Sequence, residues 1–179
     1  MQAIIFLASV IVCFLAAPQE AEKKSAERPT EPPMLLGVVD RAELGKEPYS
    51  KWFVSEYEAY DLDRAVLDSL KGLLADIDIE IFMGTWCSDS RREVPRFYKI
   101  LDSLGFSDQR VRLVGLDRGK VSPGHEEKGM NIHHVPTFIF YLDQVEIGRI
   151  IETPVQSLEQ DMKAIITGAP YIPNYYELE

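Results

Sequence analysis

Apolar residues along this chain fall into blocks of two kinds, and the kinds alternate. Ile77–Met83, Val111–Leu116, Thr137–Leu142 and Val145–Ile151 are short apolar runs that read as strands. The longer blocks repeat at helical spacing. From Lys51 to Ala75, Trp52, Phe53, Tyr57, Tyr60, Leu62, Val66, Leu70, Leu73 and Leu74 predict one long helix. It is entered through Pro48 to Ser50, with Ser50 as cap, and Gly72 lies near its end. Residues 90–104 place Val94, Phe97, Ile100, Leu101 and Leu104 on one face, and Gly105 is a fitting stop. A last helix over Val155 to Ile166 follows Thr153 as cap and ends at Gly168 and Pro170. Residues 118–131 carry Gly119, Pro123 and Gly124 and read as a loop, with a short helix near Glu126 to Met130. Met34 to Val39 fits either a short edge strand or an extended lead-in.

The order predicts topology. A strand, helix and strand in succession imply a parallel pair, and the tight turn at Asp143-Gln144 implies an antiparallel hairpin. The expectation is therefore an α/β fold: a mixed central sheet with helices on both faces, plus an N-terminal helical extension. Along the chain this divides into a signal segment (1–17), a tether (18–33), the extension with its long helix (34–76), the sheet domain (77–168) and a C-terminal tail (169–179).

Composition narrows the partners. The 179 residues are 46% hydrophobic, enough for one core. Lys plus Arg number 19 against 29 Asp plus Glu, a net charge of -10. Such a chain repels phosphates, so nucleic acid is not an expected partner. Ala3 to Ala17 is apolar, uncharged and too short for the roughly 20 residues of a membrane span. It closes on Leu15-Ala16-Ala17-Pro18, a small-residue context for signal cleavage. Export follows as the expectation, to a periplasm or outside the cell, with membrane contact only through an uncleaved signal segment. The tether, rich in Glu, Lys, Ala and Pro, lacks the apolar content to fold.

Two cysteines are present. Cys13 lies in the signal segment, which leaves Cys87 alone in the mature chain, with no internal disulfide available. A single exported thiol points to intermolecular pairing or to a reactive group. Cys87 follows a strand and precedes a helix, in Phe82-Met83-Gly84-Thr85-Trp86-Cys87-Ser88-Asp89-Ser90. A helix N-terminus favours a thiolate. Arg91 and Arg92 assist and Asp89 opposes. Read as a helix start, Ser90-Arg91-Arg92-Glu93 is an S-x-x-E capping box, with Asp89 as a competing cap.

These residues resemble the thioredoxin superfamily. Trp86-Cys87-Ser88-Asp89-Ser90 is similar to its W-C-x-x-C site, Pro95 falls where the family has a helix-kinking proline, and Ile132-His133-His134-Val135-Pro136-Thr137 is similar to its cis-proline loop. The resemblance covers about residues 77–167 and looks like an exported bacterial branch with W-C-x-D-S. It implies a thioredoxin fold, a cis Val135–Pro136 bond, and a substrate chain pairing with the backbone of Val135. Two departures matter. Ser90 replaces the second cysteine and cannot resolve a mixed disulfide. Ile81 stands where the family has a buried acid, and Glu80 faces the other way.

The functional expectation is thiol-disulfide exchange through one cysteine, of a monothiol reductase, isomerase or deglutathionylation type. Cys87 is the nucleophile, with Trp86, Asp89 and Ser90 around it. Val135, Pro136 and His134 form the substrate side. Partners are thiol- or disulfide-containing proteins or low-molecular-weight thiols. No cofactor is called for. No metal is either, because the adjacent His133 and His134 point apart on an extended segment. The other reading is a non-catalytic scaffold that binds peptides in the same groove.

Overall fold

The computed structural model describes residues 32–175. The signal segment and most of the tether lie outside the described residues. The elements are β1 (Gly37–Val39), α1 (Arg41–Leu44), α2 (Ser50–Ala59), α3 (Arg64–Leu70), β2 (Ile77–Met83), α4 (Ser88–Leu104), β3 (Val111–Gly115), β4 (Thr137–Leu142), β5 (Val145–Ile151) and α5 (Leu158–Thr167). The strands form one sheet in the order β1-β3-β2-β4-β5. Only β2 and β3 pair in parallel, joined by α4, and the other three pairs are antiparallel. A β-α-β unit followed by a β-hairpin and a closing helix is the thioredoxin fold. The hairpin turns on Asp143 and Gln144, both with positive φ, as a two-residue turn of this twist needs.

Alternation along β2 sets the layers. Ile77, Ile79, Ile81 and Met83 enter a large cluster with Phe97, Tyr98, Leu101, Phe138, Phe140 and Met162. Phe82 faces the other way, into a small cluster with Val114, Leu116, Ile132, Val135 and Ile139. Every helix contributes to the large cluster and none contributes a buried residue to the small one. The expected helices on both faces are thus corrected. All five lie against one face, and the other is covered by residues 117–136, which form turns. The short helix near Glu126 is absent because Lys120, His125, Gly129 and Asn131 all take positive φ, which breaks a right-handed helix.

The long helix predicted over 51–75 is two helices. Tyr60 is extended, and the Asp63 carboxylate accepts from the Val66 N–H at 3.1 Å to start α3. The apolar period runs through this break because both helices bury the same side. Ser50 is the first residue of α2 rather than its cap, and its hydroxyl donates to Glu47 at 2.8 Å. α5 starts at Leu158, capped by Ser157 rather than Thr153. Before it, the Asp161 carboxylate takes the N–H groups of Val155 and Gln156 at 2.6 and 3.2 Å. Gly105 closes α4 in the left-handed region, with Phe106 N–H bonded to Leu101 C=O. The edge strand β1 pairs with β3, so the sheet reaches into the segment expected to precede the domain.

Candidate functional site

α4 begins two residues earlier than its sequence suggests, and this rearranges the cysteine loop. Cys87 is the N-cap residue itself, extended at φ -85 and ψ 131, and its carbonyl accepts from the Arg91 N–H. Asp89 and Ser90 are therefore inside the first turn, and neither caps the helix. The capping-box reading fails because Glu93, at 4% exposure, does not reach back. It accepts from Arg92 at 2.6 Å and lies near Arg96. Asp89 pairs with Arg92 at 2.6 Å, so each neutralises part of the other's field at Cys87.

Ser90 is fully buried, and its Oγ accepts from the Gly84 N–H at 3.2 Å. That contact ties the end of β2 to the first turn of α4 and fixes the Thr85-Trp86 turn between them. A buried N–H that loses such a partner costs about 1–3 kcal/mol. The position of the missing thiol is thus a hydrogen-bonded joint. Gly84 is required for a second reason. A Cβ there would sit 2.6 Å from Trp86 ring atoms. The indole folds back over this backbone, donates from Nε1 to the Leu116 C=O at 2.9 Å, and carries the Arg118 guanidinium 5.5 Å from its ring centroid. Arg91 donates from Nε to the Thr85 C=O at 2.5 Å.

The cysteine and proline loops meet. Cys87 Sγ lies 3.1 Å from the Val135 carbonyl, to which its S–H donates, and the Val135–Pro136 bond is cis. Cys87 is free and half-buried, packed with Trp86 and Met130 at the margin of the small cluster. Val135 is 3% exposed and Pro136 is buried. Of the sequence-proposed residues, Cys87, Trp86, Val135 and Pro136 share one site. Asp89 stands at its rim and Ser90 lies beneath. His134 also borders it, with its imidazole stacked on Tyr175 (centroids 4.1 Å apart, planes at 11°) and Nδ1 3.8 Å from Glu152. His133 is exposed. Among the described residues no three His, Cys, Asp or Glu side chains gather as metal ligands would.

Ile81 belongs to the large cluster, whereas Glu80 lies on the opposite face. Glu80 is paired there with Arg112 and accepts from the Tyr141 hydroxyl at 3.4 Å. Burial, with the Glu80 charge beside it, pushes the Tyr141 hydroxyl up. This group lines a separate hollow of about 630 Å³ with Asp78, Arg110 and Gln144. Sequence reasoning missed Tyr175, Glu152 and Arg118. Their spacing from Cys87 along the chain carries no signal, because the return of the tail, the end of β5 and the 117–136 segment bring them in.

No family model matches the chain, and no curated protein matches it. Solved structures do. A protein of unknown function from Pseudomonas aeruginosa is 15% identical with a TM-score of 0.51, over 78% of this chain and 86% of that one. A thioredoxin variant from Halobacterium salinarum is 15% identical with a TM-score of 0.36, over 55% of this chain and 79% of its own. Mitochondrial thioredoxin 3 from Saccharomyces cerevisiae is 25% identical with a TM-score of 0.33, over 54% and 86%. What the chain shares with the Pseudomonas protein is the fold.

Proposed function

We propose that this is an exported thioredoxin-like protein that carries out thiol-disulfide exchange through Cys87 alone. The observation that carries the reading is the placement of the sulfur, half-buried at the start of α4 and 3.1 Å from the carbonyl of the residue before Pro136. A thiolate at Cys87 attacks one sulfur of a disulfide. The Cys87–substrate S–S bond forms, the original S–S bond breaks, and the departing thiolate takes a proton from solvent. Ser90 has no sulfur to attack the mixed disulfide. A low-molecular-weight thiol, or a second thiol of the substrate, attacks instead and regenerates Cys87. The net reaction exchanges one disulfide for another, which suits isomerisation or deglutathionylation.

Trp86 shields one side of the sulfur, and the Val135 backbone offers an extended substrate the pairing groups of a strand edge. Support for export comes from the apolar, uncharged segment 3–17 and its Leu15-Ala16-Ala17 end.

The test is trapping with glutathione disulfide, followed by peptide mapping, since Cys13 is also a thiol. Wild type gives a mixed disulfide at Cys87, and Cys87→Ser gives none there. Ser90→Cys restores a second thiol one helical turn away and confers reduction of protein disulfides at the expense of a dithiol reductant. A Cys87 that stays unmodified would refute exchange and favour the scaffold reading.

A further inference from the structure

Beyond α5 the described part of the chain, to Tyr175, stays on the domain. Gly168 turns it back in the left-handed region, and residues 170–175 then run toward the cysteine site. Each step is anchored. Tyr171 donates from its hydroxyl to the Asp161 carboxylate at 3.2 Å, where Asp161 is 1% exposed. Asn174 donates to the Thr153 carbonyl at 2.9 Å and to its hydroxyl at 3.3 Å. Tyr175 lays its ring flat on His134, with its hydroxyl toward the Glu152 carboxylate. Glu152 in turn donates its N–H to the Pro136 carbonyl at 2.7 Å. The tail thus closes on the cis-proline loop itself. The Glu152 carboxylate beside it pushes the Tyr175 hydroxyl up.

Two kinds of disulfide would meet this arrangement differently. A small disulfide has only to bring one sulfur to Cys87. A polypeptide must also lay its backbone along residues 134–135, beside the His134 face that Tyr175 covers. We propose that Tyr175 is a specificity-determining residue, the end of a tethered strap that favours low-molecular-weight disulfides over polypeptide disulfides at Cys87. The proposal rests on the exchange reading above and names its substrate class.

The experiment compares two second-order rates of Cys87 modification in the full chain, read by peptide mapping. One probe is glutathione disulfide. The other is an unstructured peptide bearing one cysteine as a mixed disulfide with glutathione. Tyr175→Ala is expected to raise the peptide rate about fivefold, the scale set by one lost aromatic stack, with the glutathione disulfide rate changed by less than about twofold. Tyr175→Phe keeps the ring and should stay near wild type. Should Tyr175→Ala fold poorly, Asn174→Ala, which frees the strap one residue earlier, carries the same expectation. If glutathione disulfide reacts and the ratio of the two rates does not move, exchange stands and the strap falls. If neither probe modifies Cys87 in wild type or variant, the exchange reading falls and the strap falls with it.

Discussion

Phe97 and Cys87 stand on opposite faces of one sheet, in opposite surroundings. Phe97 is fully buried, its ring centroid 4.5 Å from that of Phe138, under helices that all pack on its side. Cys87 is half-buried against a cluster of only a few side chains, beneath a segment held by turns and side-chain hydrogen bonds. The first face carries the apolar burial that stabilises the fold. The second holds the chemistry in a layer too thin to be stabilised that way, so polar joints such as Ser90–Gly84 and Glu127–Ser122 fix it. Substitutions on the two faces should therefore fail differently.

The largest effect is expected at Phe97. Phe97→Ala removes a ring from a packed core and should cost about 3–5 kcal/mol, read from the denaturant midpoint. Exchange at Cys87 should survive in whatever fraction remains folded. A cost near that of a surface substitution would mean that the helical face is not the scaffold.

Ser90→Ala comes next. It leaves the buried Gly84 N–H without its acceptor and should cost about 1–3 kcal/mol. Because this joint sets the turn that presents Cys87, the rate of mixed-disulfide formation should fall as well, whereas an equally destabilising change on the helical face should leave the rate alone. Equal behaviour of the two would erase the distinction drawn between the faces.

Acid sharpens the comparison through opposite signs. The Ser122 side chain, with backbone N–H groups, pulls the Glu127 carboxyl down to about 2. The unfolded chain binds this proton first. Stability from Glu127 is thus complete above the ordinary carboxylate range and is lost as pH falls through about 2. Burial holds the Asp161 carboxyl above its ordinary value, against the pull of the Val155 and Gln156 N–H groups and Tyr171. Its contribution is complete below the ordinary carboxylate value and is lost as pH rises through the folded one. On acidification the turn segment should loosen, seen as a change in Trp86 emission that Glu127→Gln abolishes. Higher on the pH scale, as acidification passes through the raised Asp161 value, the region around α5 should gain protection in amide exchange, and Asp161→Asn should flatten that gain. Two regions responding with the same sign would contradict this division.

The smallest effect concerns Arg118. Replacing it by Ala removes the cation over the Trp86 ring, a contact of about 0.5–1 kcal/mol at an exposed site. It should shift Trp86 emission with little change in the denaturant midpoint. A large loss of stability would place Arg118 in the scaffold.

Much of this molecule was legible in its sequence for a physical reason. Alternation in β2 and the apolar face of α4 are local patterns, and burial of one face follows from each. The hairpin at Asp143-Gln144 was also local. What escaped depended on competition between local signals. Asp63 splits the long helix by offering its carboxylate to the Val66 N–H, and Ser157 outcompetes Thr153 as the cap of α5. Ser90 read as a cap because S-x-x-E fits one, yet the helix starts at the cysteine and Ser90 turns inward to Gly84. The turn-covered face escaped because Gly119, Pro123 and Gly124 mark a loop without saying which face it lies on, and positive φ at Lys120, His125 and Asn131 is not written in their identities. Of the site, the Cys87 and Pro136 loops were readable as motifs. Tyr175 was not, since only the path of the tail brings it to His134.

The most direct measurement is the mass of the Cys87 peptide after the folded protein meets glutathione disulfide. The account predicts one glutathione on Cys87, removed by added small thiol, with no intramolecular disulfide formed. A Cys87 that remains unmodified in the folded chain, while it reacts once the chain is unfolded, would contradict it.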